Sequence, residues 1–266
     1  MPWLMKLTII GVCLTLCACS NETQVIEGLP EGIISEVEVL SDSEGVAELV
    51  DHNDVELAII PLPERSFVEV ALPMVFRIDE IDPTMTSEMM GKSYHENDVI
   101  QIDHLRYVQV GYYGFDGLPH QGALVVHELI AEDILEIFTE LYDVQYPLES
   151  ITPIDAYDGD DDASMVANNS SAFNYRLIAG TSRLSRHAYG LAVDINPLMN
   201  PWVTSHGIYP VEGSLYADRT LGQVGMIIKG DPCYEAFISR GFEWGGDWSS
   251  SQDYQHFDKT IKGIND

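Results

Sequence analysis

The stretch Ser185-Arg186-His187-Ala188-Tyr189-Gly190-Leu191-Ala192-Val193-Asp194-Ile195-Asn196-Pro197 constrains this chain more than any other. His187 and Asp194 look like half a metal site, and on a helix their spacing would put both on one face. Gly190, the β-branched Val193 and Ile195, and the closing Pro197 argue instead for a loop that turns into a short buried strand. On a straight strand the two side chains would face opposite ways. A bend at Gly190, a residue free to take positive φ, is what would let imidazole and carboxylate converge.

Two ligands do not close a site, and the best third candidate is His256 in Asp253-Tyr254-Gln255-His256-Phe257. That segment follows a Gly/Trp-rich run, Gly241-Phe242-Glu243-Trp244-Gly245-Gly246-Asp247-Trp248. Two neutral histidines and one carboxylate suit Zn2+, and three protein ligands leave a fourth position for water, the arrangement of catalytic rather than structural sites. Asp253 would then be the base beside that water. Each residue alone is more often a satisfied polar group; the joint pattern carries the inference.

Taken together, S-R-H-A-Y-G-L-A-V-D-I-N-P, W-G-G-D-W and D-Y-Q-H-F resemble the zinc D-alanyl-D-alanine carboxypeptidase and L-alanyl-D-glutamate peptidase family, which shares its fold with the Hedgehog signalling domain. The family pattern S-x-H-x-x-G-x-A-x-D falls on Ser185, His187, Gly190, Ala192 and Asp194, and its second half on Asp253 and His256. Many members carry Glu at the base position, where this chain has the shorter Asp253. The resemblance runs from about Phe67 to Lys259 and implies an α+β fold, with an antiparallel sheet carrying the zinc site and helices packed on one side. It implies peptidoglycan stem peptides as substrate, with D-alanyl-D-alanine carboxypeptidase favoured over L-alanyl-D-glutamate endopeptidase. It also matches Arg176 to an arginine that holds the substrate's carboxylate or polarised carbonyl, with Arg183 and Arg186 as rivals. A non-catalytic cell-wall-binding lipoprotein is the alternative class, and an acid at position 253 favours the enzyme.

Residues 1–18 hold one lysine, an apolar run from Leu7 to Leu16, and then Leu16-Cys17-Ala18-Cys19. This reads as a secretory signal ending in a bacterial lipoprotein cleavage box, with Cys19 as the lipidated first residue of the mature chain. An uncleaved transmembrane anchor is the rival, although the run is short for a span. The expected place is the bacterial cell envelope, facing the periplasm or the exterior. Cys13 and Cys17 leave with the signal, so Cys233 is the one thiol of the mature chain and no internal disulfide forms. The formal charge of −30 repels nucleic acid and anionic lipid surfaces, and cleavage removes Lys6 and no acid. Oligomeric state stays open.

Residues 19–66 are acidic, with Pro30, Pro61 and Pro63, and read as a flexible tether; Leu57 to Ile60 is a tempting strand that the prolines stop. Residues 67–266 form the expected peptidase domain, starting with a strand through Val68 to Leu72. Val99 to Ile102 is expected as a strand and Ala123 to Tyr142 as an amphipathic helix, which would place His127 on it as a core or surface residue rather than a ligand. Tyr146 to Ile154 reads as a strand, and Asp231 to Arg240 as a short helix capped by Gly241. The acidic run Asp158 to Asp162 resembles a calcium loop in composition but lacks its full alternation, so a solvated turn is the plainer reading. Of Trp244 and Trp248, one is expected in the core.

Overall fold

The chain divides into two units, residues 1–71 and 72–266. The computed structural model describes residues 74–178 and 180–265, plus two short hairpins in the first unit, Lys6–Ile9 with Val12–Thr15 and Glu38–Ser41 with Ala47–Val50. The lipobox cysteine Cys19, most of the tether and the expected strands at Leu57 to Ile60 and Val68 to Leu72 lie outside the described residues.

The second unit is α+β, with helices on small, mostly antiparallel sheets. Its largest sheet is a meander of β1 (Arg77–Glu80), β2 (Leu105–Tyr113) and β3 (Pro119–His127), in which β2 and β3 pair along all nine residues. Val108, Val110 and Tyr112 alternate along β2 onto the core, as a strand with one buried face requires. After the short helix α1 (Pro83–Met89), helix α2 (Ala131–Asp143) lies against this sheet through Ile134, Ile137, Phe138 and Leu141, spaced for one helical face.

The expected helix from Ala123 therefore starts eight residues late. Ala123 to His127 is the end of β3, buried on both faces, and a continuous apolar run of that kind fits a strand as well as a helix. Its β-branched Val125 and Val126 favour the strand. The expected strand at Val99 to Ile102 is also absent: Ile100 alone of these is buried, and the chain enters a 3-10 turn at Ile102–His104. Within Tyr146 to Ile154 only β4 (Ser150–Ile151) is strand, paired in parallel with β5 (Asn169–Ser170) and flanked by the two prolines.

Two three-stranded sheets carry the chemistry-bearing segments. The first pairs β6 (Ala192–Asp194) and β9 (Glu243–Trp244) with the central β11 (His256–Asp258); the second pairs β8 (Ile208–Tyr209) and β10 (Gln252–Asp253) with the central β7 (Trp202–Val203). Helix α4 (Pro232–Ile238) packs behind β9, starting where Asp231 accepts the Tyr234 N–H at 2.7 Å and ending before Gly241 at φ +79°. Phe237 stacks on Phe257 at 4.1 Å between ring centres, joining α4 to the strand that bears His256.

Phe138 is fully buried between α2 and the meander. Phe138→Ala should lower stability by about 3–5 kcal/mol, the combined loss of transfer energy and the cavity left behind. Urea unfolding followed by circular dichroism measures it, and a loss under about 1 kcal/mol would show that the core is not organised on this helix.

Candidate metal centre

His187 sits in a 3-10 turn, Arg186–Tyr189, whose first N–H groups are capped by Ser185: the Ser185 hydroxyl accepts from His187 N at 3.3 Å. Gly190 ends the turn at φ +68° and lies so close to β3 that a Cβ there would come within 2.7 Å of the His127 nitrogen. Both conditions select glycine. The His127 N–H donates to the Gly190 carbonyl at 2.8 Å, tying the turn to the end of β3. His127 itself is buried at that junction, where its Nδ1 accepts from Leu129 N.

The bend delivers Asp194 into β6, where it is the direct cross-strand partner of His256. Such partners project from the same face. His187, Asp194 and His256 are all buried and their ligand atoms converge. His187 Nε2 is 3.2 Å from Asp194 Oδ2 and 3.1 Å from His256 Nδ1, and His256 Nδ1 is 3.0 Å from Asp194 Oδ1. The three residues singled out from sequence are thus brought together.

The donor set fits a metal ion. His187 Nδ1 donates to the Ala172 carbonyl at 2.6 Å, which fixes the tautomer and leaves a lone pair on Nε2. That lone pair faces a carboxylate oxygen and a second ring nitrogen, a cluster that repels itself unless a cation or proton lies within it. Donors bound at about 2.0–2.1 Å around a tetrahedral zinc stand roughly 3.3 Å apart, close to these separations. Burial opposes ionisation of Asp194, but the two histidines outweigh it and hold the carboxyl well below the usual range. Burial also works against the charged form of His256, and the hydrogen bond to Asp194 reverses this, raising it to about 9. In the metal-free protein a proton therefore stands in for the cation.

Asp253 lies outside this trio. It keeps some exposed surface, yet its Oδ1 is enclosed and has no hydrogen-bond partner among the described residues. Burial raises its carboxyl to about 7, with the Asp194 charge adding to the rise and the histidines and Gln255 opposing it. A half-buried acid poised near neutrality beside a cluster that could hold a metal has the properties of a general base. Gly245 makes the packing possible: a Cβ there would come within 2.8 Å of the Asp253 Cβ and 3.3 Å of the His256 Cβ. Trp244 is buried and donates to the Tyr254 carbonyl at 2.9 Å, whereas Trp248 is 37% exposed with its ring 5.4 Å from that of His256. One tryptophan is core and the other borders the site.

The arginines differ. Arg176 pairs with Asp161 at 2.5 Å, which also places one acid of the 158–162 turn in an ion pair. Asp158 pairs with Lys92, and Asp160 caps helix α3 (Asp161–Val166). Arg186 pairs with Asp258 at 3.2 Å and donates to the Asn265 carbonyl. Arg183 is exposed, and no ion pair of its guanidinium is found among the described residues.

Sequence reasoning missed a supporting layer. Asp258 holds Arg186 and lies 3.9 Å from His256 Nε2. Asn200 Oδ1 accepts from Ile227 N and from Arg219, whose guanidinium lies 4.5 Å over the Tyr254 ring. The Asn196-Pro197 and Asn200-Pro201 pairs are the signal the sequence offers for this layer.

Residues 179–259 match the family model described as D-alanyl-D-alanine carboxypeptidase. This is the family that the motifs resemble, and the match supports a peptidase domain of the peptidoglycan metallopeptidase kind. The matched stretch contains His187, Asp194, Asp253 and His256 but ends short of Arg176. No curated protein and no solved structure matches the chain.

The cluster should bind one divalent metal per chain, with zinc as the probe, and lose it in His187→Ala and His256→Ala; full metal content in both variants would rule out the ligand assignment. Binding must displace the His256 proton at any pH below about 9. Apparent zinc affinity should therefore climb about tenfold per pH unit as pH rises toward that value and then level off. Competition with a chromophoric chelator measures it, and a flat profile would contradict a protonated His256.

Proposed function

We propose that this protein is a zinc peptidase that hydrolyses peptide bonds in peptidoglycan stems. The observation that carries the reading is the separation of roles: three buried donors 3.0–3.2 Å apart, and beside them a fourth group, Asp253, that is not one of them. A structural site has no use for a half-buried acid held near neutrality next to its ligands. A cell-wall-binding module would have none either.

Bound at His187, Asp194 and His256, zinc would polarise the scissile carbonyl and bring the attacking water to a pKa of about 7. Asp253 accepts that water's proton and hands it to the leaving amine, two transfers that a carboxyl near pKa 7 performs with little driving force lost either way. Trp248, exposed against His256, offers an apolar wall for the peptide.

Among family activities we favour the D-alanyl-D-alanine carboxypeptidase. A terminal carboxylate needs a fixed cation, and Arg176 is positioned for this by its own carbonyl, which accepts from Ser185 N at 3.0 Å, directly before the metal-bearing turn. Substrate would take the place of Asp161 as its partner. Arg183, with no ion pair among the described residues, is the rival. The chain's beginning reads as a lipoprotein signal, so we place the enzyme in the cell envelope, anchored through Cys19; the mass of the mature amino terminus should show acyl chains on Cys19, and an unmodified terminus elsewhere would overturn this.

A stem pentapeptide ending in D-Ala-D-Ala should lose one alanine, seen by mass spectrometry, and Asp253→Ala should keep its zinc while losing at least about a hundredfold in kcat. Arg176→Ala and amidation of the substrate's terminal carboxylate should each cost about tenfold in kcat/KM. Equal cleavage of free and amidated substrate would remove the carboxylate grip, and release of a fragment beginning with D-Glu would establish the endopeptidase instead.

A further inference from the structure

Strand β10 places Asp253 directly opposite Trp202 of β7, so the two side chains leave the same face of that sheet. Tyr209 continues the row on the far side of Trp202, its ring 5.7 Å from the indole. The Trp202 indole N–H is buried and has no hydrogen-bond partner among the described residues, and the same holds for Asp253 Oδ1 and for Gln255 Oε1. Gln255 is itself buried, and its side chain reaches the Asp253 carboxyl. Three of the few unpartnered buried polar atoms of the described residues thus belong to one donor, one acid and the acid's own neighbour. Enclosed polar groups are rarely left unpaired, because each costs its full desolvation.

One donor and two acceptors are the complement of a single water molecule, which accepts one hydrogen bond and donates two. Buried waters typically make about three such bonds. We propose that an ordered water joins Trp202 Nε1, Asp253 Oδ1 and Gln255 Oε1, and that Trp202 and Gln255 are positioning residues for the base. The indole N–H donates to the water, and the water donates to both oxygens. A carboxylate has about four lone-pair sites, so this bond fixes the orientation of Asp253 and leaves it free to take a proton. The aromatic row from Tyr209 holds the indole in place, which accounts for the pairing of this hairpin with β10. The inference rests on Asp253 being the base.

The test uses full-length zinc-free protein labelled with 15N-tryptophan, in which the Trp202 indole resonance is assigned by its disappearance in Trp202→Phe. Asp253→Ala and Gln255→Met should each move that resonance while leaving the Trp244 indole, which donates to a backbone carbonyl, in place. With zinc bound, Trp202→Phe should lower kcat about tenfold at unchanged KM and unchanged zinc content, as expected for one lost hydrogen bond to a charged group. Gln255→Met should do the same, so the inference survives a Trp202→Phe variant that fails to fold. A Trp202 resonance that stays put in Asp253→Ala overturns the bridge. A resonance that moves while Asp253→Ala still cleaves substrate at the wild-type rate overturns the base assignment instead.

Discussion

The cross-strand pairing of Asp194 with His256 is the constraint from which the rest of this domain follows. Two ionisable side chains on the same face of a buried sheet, with a second imidazole against them, are costly to desolvate and repay it only if charges balance. In the metal-free chain the balance comes from the proton that keeps His256 cationic against an ionised Asp194. A divalent ion would do the same with a larger charge and with shorter bonds. A metal bound there would have to displace that proton, which would tie the acid–base chemistry of the cluster to its occupancy.

Holding three such groups in place falls to parts of the fold with no chemistry of their own. The Ala172 carbonyl sets the tautomer of His187, and a bridge between Ser171 and Asp194 fixes the backbone of the carboxylate at 2.8 and 3.1 Å. Gly190 and Gly245 act by lacking a side chain: one lets the histidine turn pack on β3, the other lets β10 and β11 close around the site. Phe237 and Trp244 then stack on Phe257 from the core, so that His256 projects from a strand that cannot rotate. Donors held this rigidly keep the mutual separations that binding a single ion would require.

The convergence of His187 and Asp194 was legible in the sequence because glycine, proline and β-branched residues within a few positions of them dictate their local geometry. His256 was legible only jointly with them. The helix limits were not, since the apolar run from Ala123 satisfies strand and helix alike until its partner β2 is known. Nor was the supporting layer: Asp258 and Trp202 acquire meaning from register across strands, and the Asn200–Arg219 contact joins residues nineteen apart in the chain. Pairing of that kind is a tertiary fact, with no local signal that distinguishes it from an ordinary loop asparagine or core tryptophan.

The shorter acid at position 253 fits the same logic. An aspartate gives up one methylene of reach relative to glutamate, so its backbone must stand nearer to the site it serves. Gly245 provides that approach, since any side chain there would strike the Asp253 carbonyl at 2.6 Å and its Cβ at 2.8 Å. A shorter side chain also has fewer rotamers to lose, and a carboxyl pinned by its neighbours pays less entropy on each turnover. What distinguishes Asp253 from a fourth ligand is its sheet: it leaves β10, paired with β7, whereas Asp194 and His256 leave β6 and β11. Two small sheets meeting at residues 253 to 256 thus hold this acid and the three clustered donors adjacent but separately anchored.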